Sequence, residues 1–136
     1  MFIRGLIGTL GGALMGALLA AGAAYADPGG TWLTQGGKAK VDVARCGANL
    51  CGTVVWQKTP GADKRNPDPA KRDRPVIGIQ MLYGMAPSGQ NQWSGTIYNP
   101  ENGKTYNGKM TVEGNTLTLS SCAGLFCGSE KWTRSN

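Results

Sequence analysis

The sequence predicts an all-β domain, a small up-and-down barrel of about eight antiparallel strands, and three observations predict it. Beyond residue 26 no stretch sustains apolar residues at i, i+3, i+4 and i+7 for three turns, so helices should be short or absent. Eight β-prone runs follow one another at short spacing, punctuated by Gly, Asn and Pro. Tight turns join the later runs into consecutive hairpins, and an eight-strand meander removes its edges only by closing on itself.

The first segment is a different object. Arg4 supplies a positive start, a Leu/Gly/Ala-rich stretch follows, and Ala24-Tyr25-Ala26 has the small-x-small form of a signal peptidase site. Residues 1–26 therefore read as a cleaved signal peptide rather than a membrane anchor, because glycines interrupt the apolar run and a polar Asp27-Pro28 ends it. No cysteine near the site offers a lipoprotein anchor. The expected mature chain, 27–136, is a single periplasmic domain that does not span the membrane.

Its runs cover 31–35, 39–46, 50–58, 76–85, 92–98, 105–112, 116–122 and 129–134. Alternation assigns an inner face: Val41 and Val43 against Lys40 and Asp42, Met110 and Val112 against Lys109 and Thr111, Leu117 and Leu119 against Thr116 and Thr118. Ile77, Ile79 and Met81 alternate with Val76, Gly78 and Gln80, which implies a strand covered on both faces. Asn99-Pro100-Glu101-Asn102-Gly103 reads as a type I turn followed by a glycine at positive φ, and Gly114-Asn115 closes the next hairpin.

Four cysteines repeat one spacing, Cys46 with Cys51 and Cys122 with Cys127. If each pair flanks a two-residue turn, at Ala48-Asn49 and at Gly124-Leu125, each bridge lies directly across its hairpin, and Gly124 suits a type II′ turn. Local disulfides are favoured. Crossed pairing is the alternative, while zinc is disfavoured by the spacing, the oxidising compartment and the absence of His.

Residues 59–75 break the strand rhythm with four prolines and mixed charge. Asp63, Lys64, Arg65, Asn66, Asp68, Arg72 and Arg74 make it either a preorganised docking loop or a solvated loop with one helical turn after Asn66-Pro67. Asp63, Asn66, Asp68 and Asp73 are a weak calcium set, lacking the ligand order of an EF-hand. Without residues 1–26 the charge is 13 basic against 8 acidic side chains, a lean toward anionic partners. No nucleic-acid motif accompanies it, so an anionic envelope component or protein is the expected partner class.

Gly30-Thr31-Trp32, Cys51-Gly52-Thr53-Val54-Val55-Trp56, Asp63 with Asn66-Pro67-Asp68, Arg74-Pro75-Val76-Ile77-Gly78, the run from Trp93 through Asn99-Pro100-Glu101-Asn102-Gly103 to Tyr106, and Trp132-Thr133-Arg134 together resemble the exported bacterial proteins grouped as domain of unknown function 2147. The resemblance spans the whole mature chain and implies a lipocalin-like, calycin-type barrel without naming an activity. It also implies a structural pair, Trp32 on the first strand covered by Arg134 from the last, worth about 0.5–2 kcal/mol as a cation–π contact.

Three functions fit. The first is a binding module holding a small apolar or amphipathic ligand, lined by Trp56, Met81, Tyr83, Trp93, Tyr98, Tyr106 and Met110. The second is an envelope interaction protein that docks an anionic partner through the basic loop. An enzyme is the third and weakest, since the chain has no His and its cysteines are expected to be paired; only Asp63, Asp68, Asp73 and Glu101 could supply a carboxylate pair. No catalytic residue, cofactor or metal site is assigned.

Overall fold

The computed structural model describes residues 27–135, so the expected signal peptide lies outside the described residues. Eight strands follow in chain order: β1 Gly30–Leu33, β2 Ala39–Cys46, β3 Asn49–Gln57, β4 Gln80–Gly89, β5 Gln92–Asn99, β6 Lys104–Glu113, β7 Thr116–Ala123 and β8 Phe126–Ser135. Each pairs antiparallel with the next, and β8 returns to β1, so the meander closes into a barrel. Two 3-10 turns are added, at Gln35–Gly37 and Pro69–Lys71.

The alternation argument holds where the strands are regular. Val41, Val43, Met110, Val112, Leu117 and Leu119 are all buried, in one core with Trp32, Leu82, Met85, Ile97 and Trp132. Inward glycines make room for this core: a Cβ at Gly52 would lie 2.6 Å from Leu82 Cδ1, and one at Gly108 2.2 Å from Ile97 Cδ1.

One strand is displaced from its expected position. β4 begins at Gln80 rather than 76 and runs on through Pro87. Gly78 takes φ +105, the Ile79 amide turns back to Val76 O at 3.0 Å, and Ile77 is exposed, so residues 76–79 form a turn rather than a strand covered on both faces. Apolar alternation there counted a turn as sheet because the positive φ at Gly78 is invisible to periodicity.

Both disulfides are local. Cys122 and Cys127 are direct partners across β7–β8, with Cα atoms 4.1 Å apart, and the turn between Ala123 and Phe126 uses Gly124 at φ +64 in its first central position. The other hairpin differs from expectation: Cys46 faces Asn49 and Cys51 faces Ala44, so the turn falls at Gly47-Ala48 and the Cys46–Cys51 bridge runs diagonally over 5.7 Å. Gly47 at φ +69 takes the left-handed position that Ala48-Asn49 could not fill cheaply.

The order of the strands sorts the connections into two ends. At one end lie residues 27–29 and the β2–β3, β4–β5 and β6–β7 turns. The loop 34–38, the long loop 58–79 and the β5–β6 and β7–β8 turns gather at the other.

Candidate functional site

The first of these ends is closed over Trp32, leaving a smaller recess of about 360 Å³ between residues 27–29, the β2–β3 turn and Trp93. Trp32 is fully buried, donates from Nε1 to Pro28 O at 2.9 Å, and carries the Arg134 guanidinium 4.3 Å from its ring centroid. Arg134 in turn donates to Gly29 O and Asp27 O at 2.9 Å and to Gly114 O at 3.3 Å, tying residues 27–29 to the β6–β7 turn. Met85, Met110, Val112, Leu117 and Trp132 fill the barrel at the same level.

The opposite end is hollow. A cavity of about 1190 Å³, its mouth included, opens among the second group of loops. Its depth follows from β8, whose lining residues run from Phe126 at the rim to Trp132 at the floor; six residues of strand rise at the usual barrel tilt give roughly 15 Å. Val41, Val54, Ile97 and Leu119 make the wall above Trp132 apolar. Polar groups lie higher: Gln57, Asn99 and Ser121 on the wall, with Lys38, Lys58, Glu101 and Lys104 around the mouth. Glu130 is the carboxylate held inside the wall, where it accepts a hydrogen bond from Trp132 Nε1.

The aromatics singled out in the sequence are distributed differently from expectation. Met81 and Tyr106 do line the cavity. Trp56 does not: Val41 faces Val54 whereas Lys40 faces Trp56, so Val55 is an extra residue in β3 and every side chain beyond it changes face. Trp56 consequently lies outside, 40% exposed, with the Lys40 ammonium 5.4 Å from its ring centroid. Tyr83 follows inward Leu82 and is equally exposed. Trp93 and Met110 face inward but at the shut end, against the filled core.

Tyr98, expected in the lining, is not part of it either. On β5 it follows inward Ile97, so it faces outward, yet it is buried, because the long loop folds down the outside of the barrel over it. The Ala62–Pro75 bridge closes the base of this loop, and its centre is Asp63, fully buried. The Asp63 carboxylate accepts from Tyr98 OH at 2.6 Å, Asn66 Nδ2 at 2.8 Å and Arg74 Nε at 3.0 Å, the last also an ion pair. Burial pushes the acid up, but the three hydrogen bonds and the Arg74 charge outweigh it and hold the carboxyl below its usual range. Burial, then the bond to Asp63 and its charge, push the Tyr98 phenol up to about 12.

Much of the expected docking loop is thus used internally. Asn66 Oδ1 accepts from the Asp68 amide, Asn66 O accepts from Arg72 Nε, and Asp68 caps the 3-10 turn through the Ala70 amide. The Arg65 carbonyl rests on Gly103, where a Cβ would come within 1.8 Å of it. Lys64 and Arg65 remain exposed. Both Asp63 oxygens are engaged by protein groups, so this carboxylate is already satisfied within the loop.

The residues that shape the cavity escaped the sequence reading because they are small. Inward positions of β7 shrink from Leu117 and Leu119 to Ser121 and Ala123, and those of β8 from Trp132 through Glu130 to Gly128, paired against Ser121. This taper is present in the sequence, but it is a signal of missing volume, which aromatic content does not reveal.

A solved structure described as "Protein HP1028 from the human pathogen Helicobacter pylori belongs to the lipocalin family" shares the architecture, with a TM-score of 0.73, 23% identity, and 81% of this chain and 84% of that one covered. The likeness is one of fold. Among curated proteins none matches the chain. The family model described as "Uncharacterized protein conserved in bacteria (DUF2147)" matches residues 30–134, β1 through the Arg134 that covers Trp32, and the chain belongs to that family.

Proposed function

We propose that this protein is a periplasmic binding protein that holds one amphipathic molecule in the open half of its barrel, its apolar end on Ile97, Leu119 and Trp132 and its polar end among the mouth side chains. The observation that carries the reading is the single-ended cavity, roofless over an apolar floor and comparable in volume to small-molecule sites. The fold shared with a lipocalin-family protein and the two disulfides, which suit an exported chain, support it. We further infer that it acts without catalysis. The buried carboxylate Asp63 is committed to three internal donors, and Asp68 is committed to a cap, leaving neither poised as an acid or base.

The test is titration with an apolar fluorescent dye, 1-N-phenylnaphthylamine, against the parent and a Ser121→Leu variant, in which added methyl groups project into the cavity from β7. Saturable one-to-one binding by the parent, weakened at least about tenfold in the variant, is expected from loss of the apolar volume. Equal binding by both, or none by the parent at its solubility limit, would reject the cavity as the site.

A further inference from the structure

The β7–β8 hairpin projects two apolar side chains into solvent at the cavity rim, Leu125, 98% exposed, and Phe126, 84% exposed. Neither contributes to the core, and the fold has no need of them for the turn, whose left-handed position belongs to Gly124. Immediately below, the Cys122–Cys127 bridge joins the two strands. The tip is therefore a stiff apolar projection rather than a loop that can fold its side chains away.

Its surroundings are basic. Of the 13 basic and 8 acidic side chains in residues 27–136, ten basic and five acidic fall in the segments at the mouth end, 34–40, 57–80, 99–106 and 121–131; the rest of the barrel carries three of each. The excess positive charge of the domain thus lies on the segments that connect at the mouth end, and Lys38, Lys58 and Lys104 line the same opening as Phe126, with Glu101 the acid among them at the rim. Asp63 and Arg74 are paired with each other and Glu130 is bonded to Trp132, which leaves nine basic and three acidic side chains in these segments.

We infer that the mouth end docks on an anionic phospholipid bilayer, with Leu125 and Phe126 inserted at the headgroup–acyl boundary and Lys38, Lys58 and Lys104 over the headgroup phosphates. Two arguments choose a bilayer over a protein. Charge complementarity is one: apolar insertion combined with a ring of lysines is the composition that binds anionic membrane surfaces. The other is size, because two side chains at a hairpin tip fall far short of the roughly 800 Å² per partner that a stable protein interface buries, whereas they suffice to anchor a surface-bound protein when electrostatics add to them. The docked orientation points the cavity mouth at the lipid. The inference does not depend on the cavity being occupied.

The test is co-sedimentation of the processed protein with vesicles of phosphatidylglycerol and phosphatidylcholine, compared with phosphatidylcholine alone. The parent should bind the anionic vesicles at least about tenfold more tightly than the neutral ones, and raised salt should weaken that binding. Leu125→Ser/Phe126→Ser should lose about tenfold or more on the anionic vesicles, and Lys38→Ser/Lys58→Ser/Lys104→Ser should abolish the preference for anionic over neutral lipid. Circular dichroism and the oxidised mass establish that each variant is folded and bridged. The inference is overturned if the parent ignores anionic vesicles, if the serine tip binds them as the parent does, or if sedimentation shows a dimer that the serine tip dissociates, since the tip would then be a self-interface.

Discussion

Replacing Tyr98 with Phe removes one hydroxyl from the junction that holds the long loop to the barrel, and its effect can be worked from the structure. The Tyr98 OH donates over 2.6 Å to a fully buried, ionised Asp63, and a hydrogen bond to a charged partner contributes about 1.5–3 kcal/mol. Burial first, and then the bond to Asp63 and its charge, push the phenol pKa from 10.0 to about 12, so the hydroxyl stays protonated as the donor across the neutral range. Asn66 and Arg74 still serve the carboxylate, so the loop should loosen while the barrel stays closed. The reporter is trypsin: Lys64, Arg65, Lys71 and Arg72 lie in the loop, whereas Arg74 is protected by Pro75. If opening is fast relative to cleavage, nicking tracks the open population and should accelerate about 10- to 150-fold. Tyr106→Phe is the control, since its hydroxyl only accepts from the exposed Asn102 amide. Nicking of Tyr98→Phe within about twofold of the parent would refute the claim that this bond latches the loop.

The same junction sets a pH window. Asp63, lowered in the fold, contributes stability above its ordinary 3.8 that is lost as pH falls through the depressed value; Tyr98, raised, contributes stability below 10.0 that is lost as pH rises toward about 12. Urea midpoints against pH should therefore fall at both extremes, and Asp63→Asn should flatten the acid limb. Trp32→Ala should cost about 3–5 kcal/mol in urea unfolding, because it empties the shut end, removes the ring beneath the Arg134 guanidinium and leaves Pro28 O without its donor; a variant as stable as its parent would remove the plug assignment. Gly103→Ala should displace the loop even with Asp63 intact, since a Cβ there meets the Arg65 carbonyl at 1.8 Å and φ +71 is unfavourable for Ala; loop amides exchanging at the parent rate would contradict this.

How much of this was legible in the sequence depended on the kind of constraint. Regular strands announced themselves: Val41, Val43, Met110, Val112, Leu117 and Leu119 lie where alternation put them, because pleating ties face to parity. Parity failed where a single residue was inserted. Nothing around Val54-Val55-Trp56 marks the bulge, which is decided by pairing with β2, and it carries Trp56 out of the barrel. Tyr98 failed for another reason. Its outward face is what alternation implies, but its burial comes from a loop whose path is set by Asp63, and no local pattern links residues 35 positions apart. The loop's own order was readable, since Asn66 and Asp68 bond the nearby backbone as such side chains do in turns.

The division of the barrel into a filled and a hollow half has a compositional cause, and the cause bears on function. A barrel of eight strands is near the size at which side chains just fill the interior, so the choice of inward residue decides whether space remains. Toward the shut end this chain spends its largest side chains, Trp32, Trp132, Met85 and Met110, on that space. Toward the mouth it places Ala39, Ser121, Ala123 and Gly128. A Cβ at Gly128 would meet nothing within 4 Å, so the neighbouring side chains do not fill the space there. Small and polar inward residues over an apolar floor leave the space that the proposed amphipathic ligand would fill with its own apolar surface. On that proposal the floor at Trp132 would limit the ligand's apolar reach to roughly 15 Å and leave its polar end at the rim where Lys38, Lys58, Glu101 and Lys104 stand.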